Sequence, residues 1–196
     1  MTQKQYYDIK TPEFRLSFPH LFEPSRFEGQ EQASYSALMV FDKAADLKPM
    51  KQAVLQVAKE KWPKHDWSKP GLPAGVRSPF CDGNEKVDAW GEEFVDAVYI
   101  RAKTKKRPPI VDAGGIPVDD PEKLYPGCYC RAVVTPYAYD KAGNKGISFQ
   151  LAAVQILREG ERLGGGNVGA KALAMFEPIT EAEENLSFNA TSLDDI

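Results

Sequence analysis

Several things are scarce in this chain of 196 residues, and each scarcity excludes something. It has three cysteines and two histidines. An odd number of thiols in a chain of intracellular character points to reduced cysteines, not a disulfide framework. A zinc site would have to join His20 or His65 to Cys81 and the Cys128-x-Cys130 pair. Zinc-binding cysteine pairs usually have about two to four residues between them, so small buried thiols are the better reading. No run of about 18 apolar residues occurs, so no membrane-spanning helix is expected. The opening Met1-Thr2-Gln3-Lys4-Gln5 has no apolar signal region behind it. There is no nucleophile elbow, no H-E-x-x-H and no P-loop, and no cofactor is expected. No internal repeat is visible.

What is present is a globular balance, 42% hydrophobic and 27% charged residues, sized for one domain with or without appendages. The net charge of −3 is unevenly spread. From Glu181 to Ile196 there are five acids (Glu181, Glu183, Glu184, Asp194, Asp195) and no base. The remainder holds 23 acids against 25 bases, a body of charge +2. A mildly basic body with an acidic tail differs from a uniformly acidic protein. The division expected is a folded body over 1–179 and a disordered acidic tail over 180–196.

In chain order, residues 1–12 are polar and read as a loose arm. Glu13 to Phe18 alternates, which predicts a strand with Phe14, Leu16 and Phe18 inward and ended by Pro19. A loop over His20 to Gln32 precedes a strand from Tyr35 to Phe41. Asp46 reads as a helix N-cap, with Met50, Val54, Val57 and Ala58 at helical spacing and Trp62-Pro63 closing the helix. The stretch from Pro63 to Asn84, rich in Pro, Gly and aromatics, reads as a long excursion packed over the core, with an interaction surface as the other option. Residues 85–96 suggest a short helix.

Three strands follow and carry most of the signal. The first runs from Val98 to Pro109, the second from Leu124 to Tyr139, and the third from Ile147 to Gln155. Side chains two apart share a face of a strand. Tyr99, Arg101, Lys103 and Lys105 therefore share one face of the first strand. Tyr129, Arg131, Val133 and Thr135 share one of the second, with Tyr137 and Tyr139 following. The run from Arg101 to Arg107 holds five cations in seven residues, with Lys106 and Arg107 at its end. One reading is a lysine-protected strand edge. The other is a phosphate-binding face, with Lys145 in the adjoining turn and tyrosines that stack unpaired bases. Asp119, Asp120 and Glu122 fit a magnesium site, but Pro117 and Pro121 bracket them and a turn explains them. Gly164-Gly165-Gly166-Asn167-Val168-Gly169 matches G-x-G-x-x-G, yet no second parallel strand follows; a flexible connector is the simpler reading. A short helix over Ala170 to Phe176 is expected after it. At least five strands with one or two helices and long loops predict a mainly β fold. The best fit is an OB-fold-like five-stranded antiparallel Greek-key barrel, with a β-sandwich as the alternative.

The order and spacing of several pieces carry a resemblance: Phe14-Arg15-Leu16-Ser17-Phe18-Pro19 with Leu21-Phe22-Glu23-Pro24, Tyr35-Ser36-Ala37-Leu38, Phe41-Asp42-Lys43, Tyr99-Ile100-Arg101-Ala102-Lys103, Tyr125-Pro126-Gly127-Cys128-Tyr129, Tyr137-Ala138-Tyr139, and Gly143-Asn144-Lys145-Gly146-Ile147-Ser148-Phe149. Over residues 13–163 the chain resembles the tailed-phage single-stranded-DNA-binding proteins long filed as a domain of unknown function. That resemblance implies an OB-fold, cooperative coating of single-stranded DNA in phage replication or recombination, self-association on DNA, action in the cytoplasm of the infected bacterial host, and no catalysis. The end Leu193, Asp194, Asp195 and Ile196 is similar to acidic tails that recruit replication proteins, without their terminal aromatic residue. The parity argument, not the resemblance, nominates Arg101, Lys103, Lys105, Lys106, Arg107, Tyr129, Arg131, Tyr137, Tyr139 and Lys145 as DNA contacts. DNA against RNA, and duplex binding, stay open. The competing classes are a magnesium-dependent nuclease and a protein–protein adaptor.

Overall fold

Alternating apolar residues fix which side of each strand faces the core, and a computed structural model, describing residues 7–26, 32–141 and 143–163, shows the outcome. The strands are β1 (Ile9–Lys10), β2 (Phe14–Ser25), β3 (Ser34–Phe41), β4 (Val76–Arg77), β5 (Cys81–Asp82), β6 (Val98–Thr104), β7 (Ile110–Val111), β8 (Tyr129–Lys141) and β9 (Asn144–Arg158). Helix α1 (Lys48–Lys61) lies between β3 and β4, and the short α2 (Val87–Trp90) between β5 and β6. Pairing passes from β8 through β2, β3 and β6 to β9, and β9 pairs again with β8.

The sheet is mainly antiparallel, as expected, but it is not a simple set of five antiparallel strands. β6, β4 and β7 each run parallel to β9, and short strands extend the sheet. The other pairings are antiparallel, so the sheet is mixed but mainly antiparallel. β8 and β9 form a long hairpin from Tyr129↔Arg158 to Lys141↔Asn144, turning at Gly143 with φ 83°, a conformation glycine adopts without Cβ strain.

The interior is built from Phe14, Leu16, Met39, Phe41, Ile100, Ala102, Cys130, Val134, Ile147, Phe149 and Leu151 of the strands. Met50, Val54 and Ala58 close it from α1, which lies against β8. Their spacing places all three on one helix face, as the sequence predicts. The N-cap falls at Leu47, one residue after the expected Asp46, whose carboxylate still accepts from the Lys48 N–H at 3.0 Å. Trp67, Leu72 and Phe80 from the 63–84 excursion pack on the core, and Phe80 meets Phe149 edge to face at 6.0 Å.

Four further expectations are corrected. β2 does not stop at Pro19; it continues with register shifts to Ser25, so much of the expected loop is strand. Phe18 points outward, 44% exposed, because the irregularity between Ser17 and His20 breaks the alternation. Residues 7–12 are held: β1 pairs with β8, and buried Thr11 accepts from the Ala132 N–H at 3.0 Å. β6 ends at Thr104, not Pro109. The glycine loop 164–169, the helix expected over 170–176 and the acidic tail lie outside the described residues.

Candidate nucleic-acid interface

β6 alternates as its sequence requires: Ile100 and Ala102 are buried, while Tyr99, Arg101 and Lys103 lie on the outer face. β8 does the same, burying Cys130, Ala132, Val134 and Pro136 and turning Tyr129, Arg131, Thr135, Tyr137 and Tyr139 outward. β9 lies between them. Lys103 pairs with Gln150, and Gln150 pairs with Thr135, giving one row across three strands. Two residues back, Arg101 and Ser148 share that outer face, and Ser148 is opposite Tyr137. β6 and β8 thus stand two strand spacings apart, about 10 Å. The row extends the other way to β3, where Leu38 is opposite Arg101 and Ser36 opposite Lys103.

The electrostatics of this face are those of half-buried cations. Burial lowers the Arg101 pKa, and burial, followed by the neighbouring Arg101, lowers that of Lys103 below the ordinary 10.5. Both are partly desolvated before any ligand arrives, and a phosphate would stabilise their charged forms. The Tyr99 hydroxyl is pushed up to about 12, chiefly by burial, with Cys81 next. The Tyr99 ring packs against Trp90 and Phe94.

The sequence-nominated residues separate into groups. Arg101, Lys103 and Tyr137 gather on the outer face, and Tyr137 is 40% exposed. Lys105 and Lys106 lie exposed beyond the end of β6. Arg107 pairs with Asp119 at 3.1 Å and its guanidinium lies 5.0 Å from the Phe22 ring centre. Lys145 is opposite Asp140 and 4.0 Å from its carboxylate. Tyr139 lies over Gly146, where a Cβ would collide with its ring. Arg131 donates from Nε to Gln155 Oε1 at 2.7 Å, and Gln155 Nε2 donates to the carbonyls of Asp112 and Ala113. Arg131 thereby anchors the 112–117 turn. Tyr129 is clamped by the guanidiniums of Arg158, 3.4 Å from its ring centre, and Arg15, at 5.9 Å. Leu193, Asp194, Asp195 and Ile196 lie outside the described residues.

The acids considered for magnesium have other work. Asp119 holds Arg107, Asp120 accepts from the Glu122 N–H, and Glu122 lies 3.8 Å from Arg162. Cys128 and Cys130 are buried, and burial pushes the Cys130 thiol up. No helix among the described residues is long and apolar enough to cross a membrane.

Two aromatics on this side escaped the sequence reading, Phe18 and Trp90, whose rings meet at 5.4 Å. The only trace in the sequence is an aromatic where a proline follows directly.

The model of the family described as "Enterobacter phage Enc34, ssDNA-binding protein" matches residues 7–186. "Putative protein p50" of Acyrthosiphon pisum secondary endosymbiont phage 1 is 32% identical over 182 residues, 90% of this chain and 96% of that protein. The fold is similar to the single-stranded-DNA-binding protein from bacteriophage Enc34 in complex with ssDNA, with TM-score 0.65 and 22% identity over 80% of this chain and 89% of that one. It is also similar to gp2.5, a single-stranded-DNA-binding protein encoded by bacteriophage T7, with TM-score 0.62 and 13% identity over 90% of this chain and all of that one.

Proposed function

Because the chain belongs to the Enc34 phage ssDNA-binding protein family, we propose that it coats single-stranded DNA without regard to sequence, and without catalysis, during phage replication or recombination in the cytoplasm of the infected host. The observation that carries this reading is the outer face of β6, β9 and β8. It sets Arg101 and Lys103 across β9 from the exposed ring of Tyr137. Cations neutralise phosphates and release counterions, while an exposed ring stacks a base of any identity. The ring of pairings from β8 through β2, β3, β6 and β9 supports assigning the body to the OB-fold, a five-stranded Greek-key barrel at its centre. Similarity to a protein solved with ssDNA supports the same choice.

The further parts of the proposal rest on the sequence. The body, residues 1–179, binds DNA and self-associates along it. The acidic tail, residues 180–196, competes with DNA for the cations and engages replication proteins through Leu193, Asp194, Asp195 and Ile196. Lys105 and Lys106 extend the phosphate track beyond β6. The test is a titration with single-stranded DNA, duplex DNA and RNA of equal length, with magnesium, over a salt series. Salt-dependent binding of the single strand, with the strand recovered uncut, is expected. Cleavage, or no salt-dependent binding, contradicts the reading.

A further inference from the structure

Beyond β6 the row is covered: Leu38, opposite Arg101, and Ser17, opposite Leu38, are both buried, Leu38 against Phe94, and past that cover Phe18 of β2 emerges. Phe18 has φ 42°, a left-handed conformation that aromatic residues rarely adopt, and the residue is 44% exposed. Held strain at an exposed aromatic is a reason to look for a role. The ring has a rigid backing. Trp90 meets Phe18 at 5.4 Å and 62°, and Trp90 is fixed by Phe94 at 5.3 Å and Tyr99 at 5.5 Å. Phe94 is fully buried against Leu38 and Val40. Lys86 places its Nζ 5.3 Å from the Trp90 ring centre.

We infer that Phe18, backed by Trp90 and flanked by Lys86, is a stacking position on β2 for one unpaired nucleobase. This inference rests on the proposed single-strand binding and adds a second aromatic contact point besides Tyr137, on the β2 side of the Phe94 and Trp90 packing that covers Leu38 of β3. The rings at the β2 end are packed edge to face, which leaves the exposed part of Phe18 available to a flat partner. The segment beside it carries Glu85 and Asp88 as well as Lys86, so the contact is made by the ring more than by charge.

The experiment compares Phe18→Asn and Phe18→Tyr with the wild type. Asparagine tolerates the left-handed backbone, so Phe18→Asn removes the ring without adding backbone strain; a thermal melt verifies that it is folded. The probes are oligo-dT and an abasic strand of equal length. Phe18→Asn is expected to bind oligo-dT about tenfold more weakly, the scale of one lost base stack. Its affinity for the abasic strand and its salt slope should match the wild type, and Phe18→Tyr should restore binding. A folded Phe18→Asn protein that binds oligo-dT as the wild type does overturns the inference, as does an equal loss on both strands. In either case salt-dependent binding by the wild type leaves the proposed function standing. A wild type that binds neither strand removes both.

Discussion

Tyr129 and Tyr137 leave the same strand on the same side, and their surroundings could hardly differ more. Tyr129 is held between Arg158 and Arg15, and Arg158 is itself paired with Glu13 at 2.7 Å. Tyr137 is 40% exposed, opposite Ser148, with Arg101 across β9. One ring already has its cations and the other is open to solvent. Parity decides which way a side chain points; its neighbours decide whether it is available. The two ends of β8 are therefore expected to respond differently to mutation.

The largest effect should come from the cations that serve the open end. Arg101→Ala with Lys103→Ala should weaken single-strand binding and make the slope of log K against log salt shallower by about 1.4, from roughly 0.7 per phosphate contact. Titration at several salt concentrations reads this, and an unchanged slope in a folded double variant breaks the assignment. Next comes the ring. Tyr137→Ala should cost about 1–3 kcal/mol of binding and leave the melting temperature nearly unchanged. Tyr129→Ala should show the reverse, a lower melting temperature with binding close to the wild type.

A smaller effect should come from the tail. Deleting residues after Thr180 removes five acids and no base. A tethered tail has an effective concentration in the millimolar range for short flexible linkers, yet exposed charges are screened within about 8 Å at physiological salt. Truncation should tighten binding at low salt, with the gain fading as salt rises. Equal affinities at low salt would contradict competition.

The smallest effect is one of pH. The free protein holds the Lys103 pKa below 10.5 by burial and by the neighbouring Arg101, while a bound phosphate favours the charged form. Binding thus takes up a proton between the lowered free value and the higher bound one. Affinity should fall as pH rises through the free value, and Lys103→Arg should flatten that fall. Fluorescence titration on the alkaline side checks the sign.

What was legible in the sequence is what strand and helix periods control. The outer faces of β6 and β8, the buried stripe of α1 and the long hairpin all follow from spacing. What was not legible depends on contacts between distant segments. The parallel pairing of β6 with β9 leaves no mark in either strand. Phe18 alternates with Phe14 and Leu16 and reads as core, yet the register shift before His20 turns it toward Trp90. Tyr129 looks equivalent to Tyr137 until Arg15 and Arg158 are brought beside it from β2 and β9. Arg131 reads as a phosphate ligand until Gln155 is placed opposite it.

The most direct test of the central claim is photo-cross-linking of the full chain to oligonucleotides carrying 5-bromouracil, with the linked peptides identified by mass spectrometry. The account predicts cross-links to the peptide bearing Tyr137, reduced by Arg101→Ala with Lys103→Ala, and none to the ring of Tyr129. Cross-links centred on Tyr129, Arg15 and Arg158 with Tyr137 untouched would contradict it.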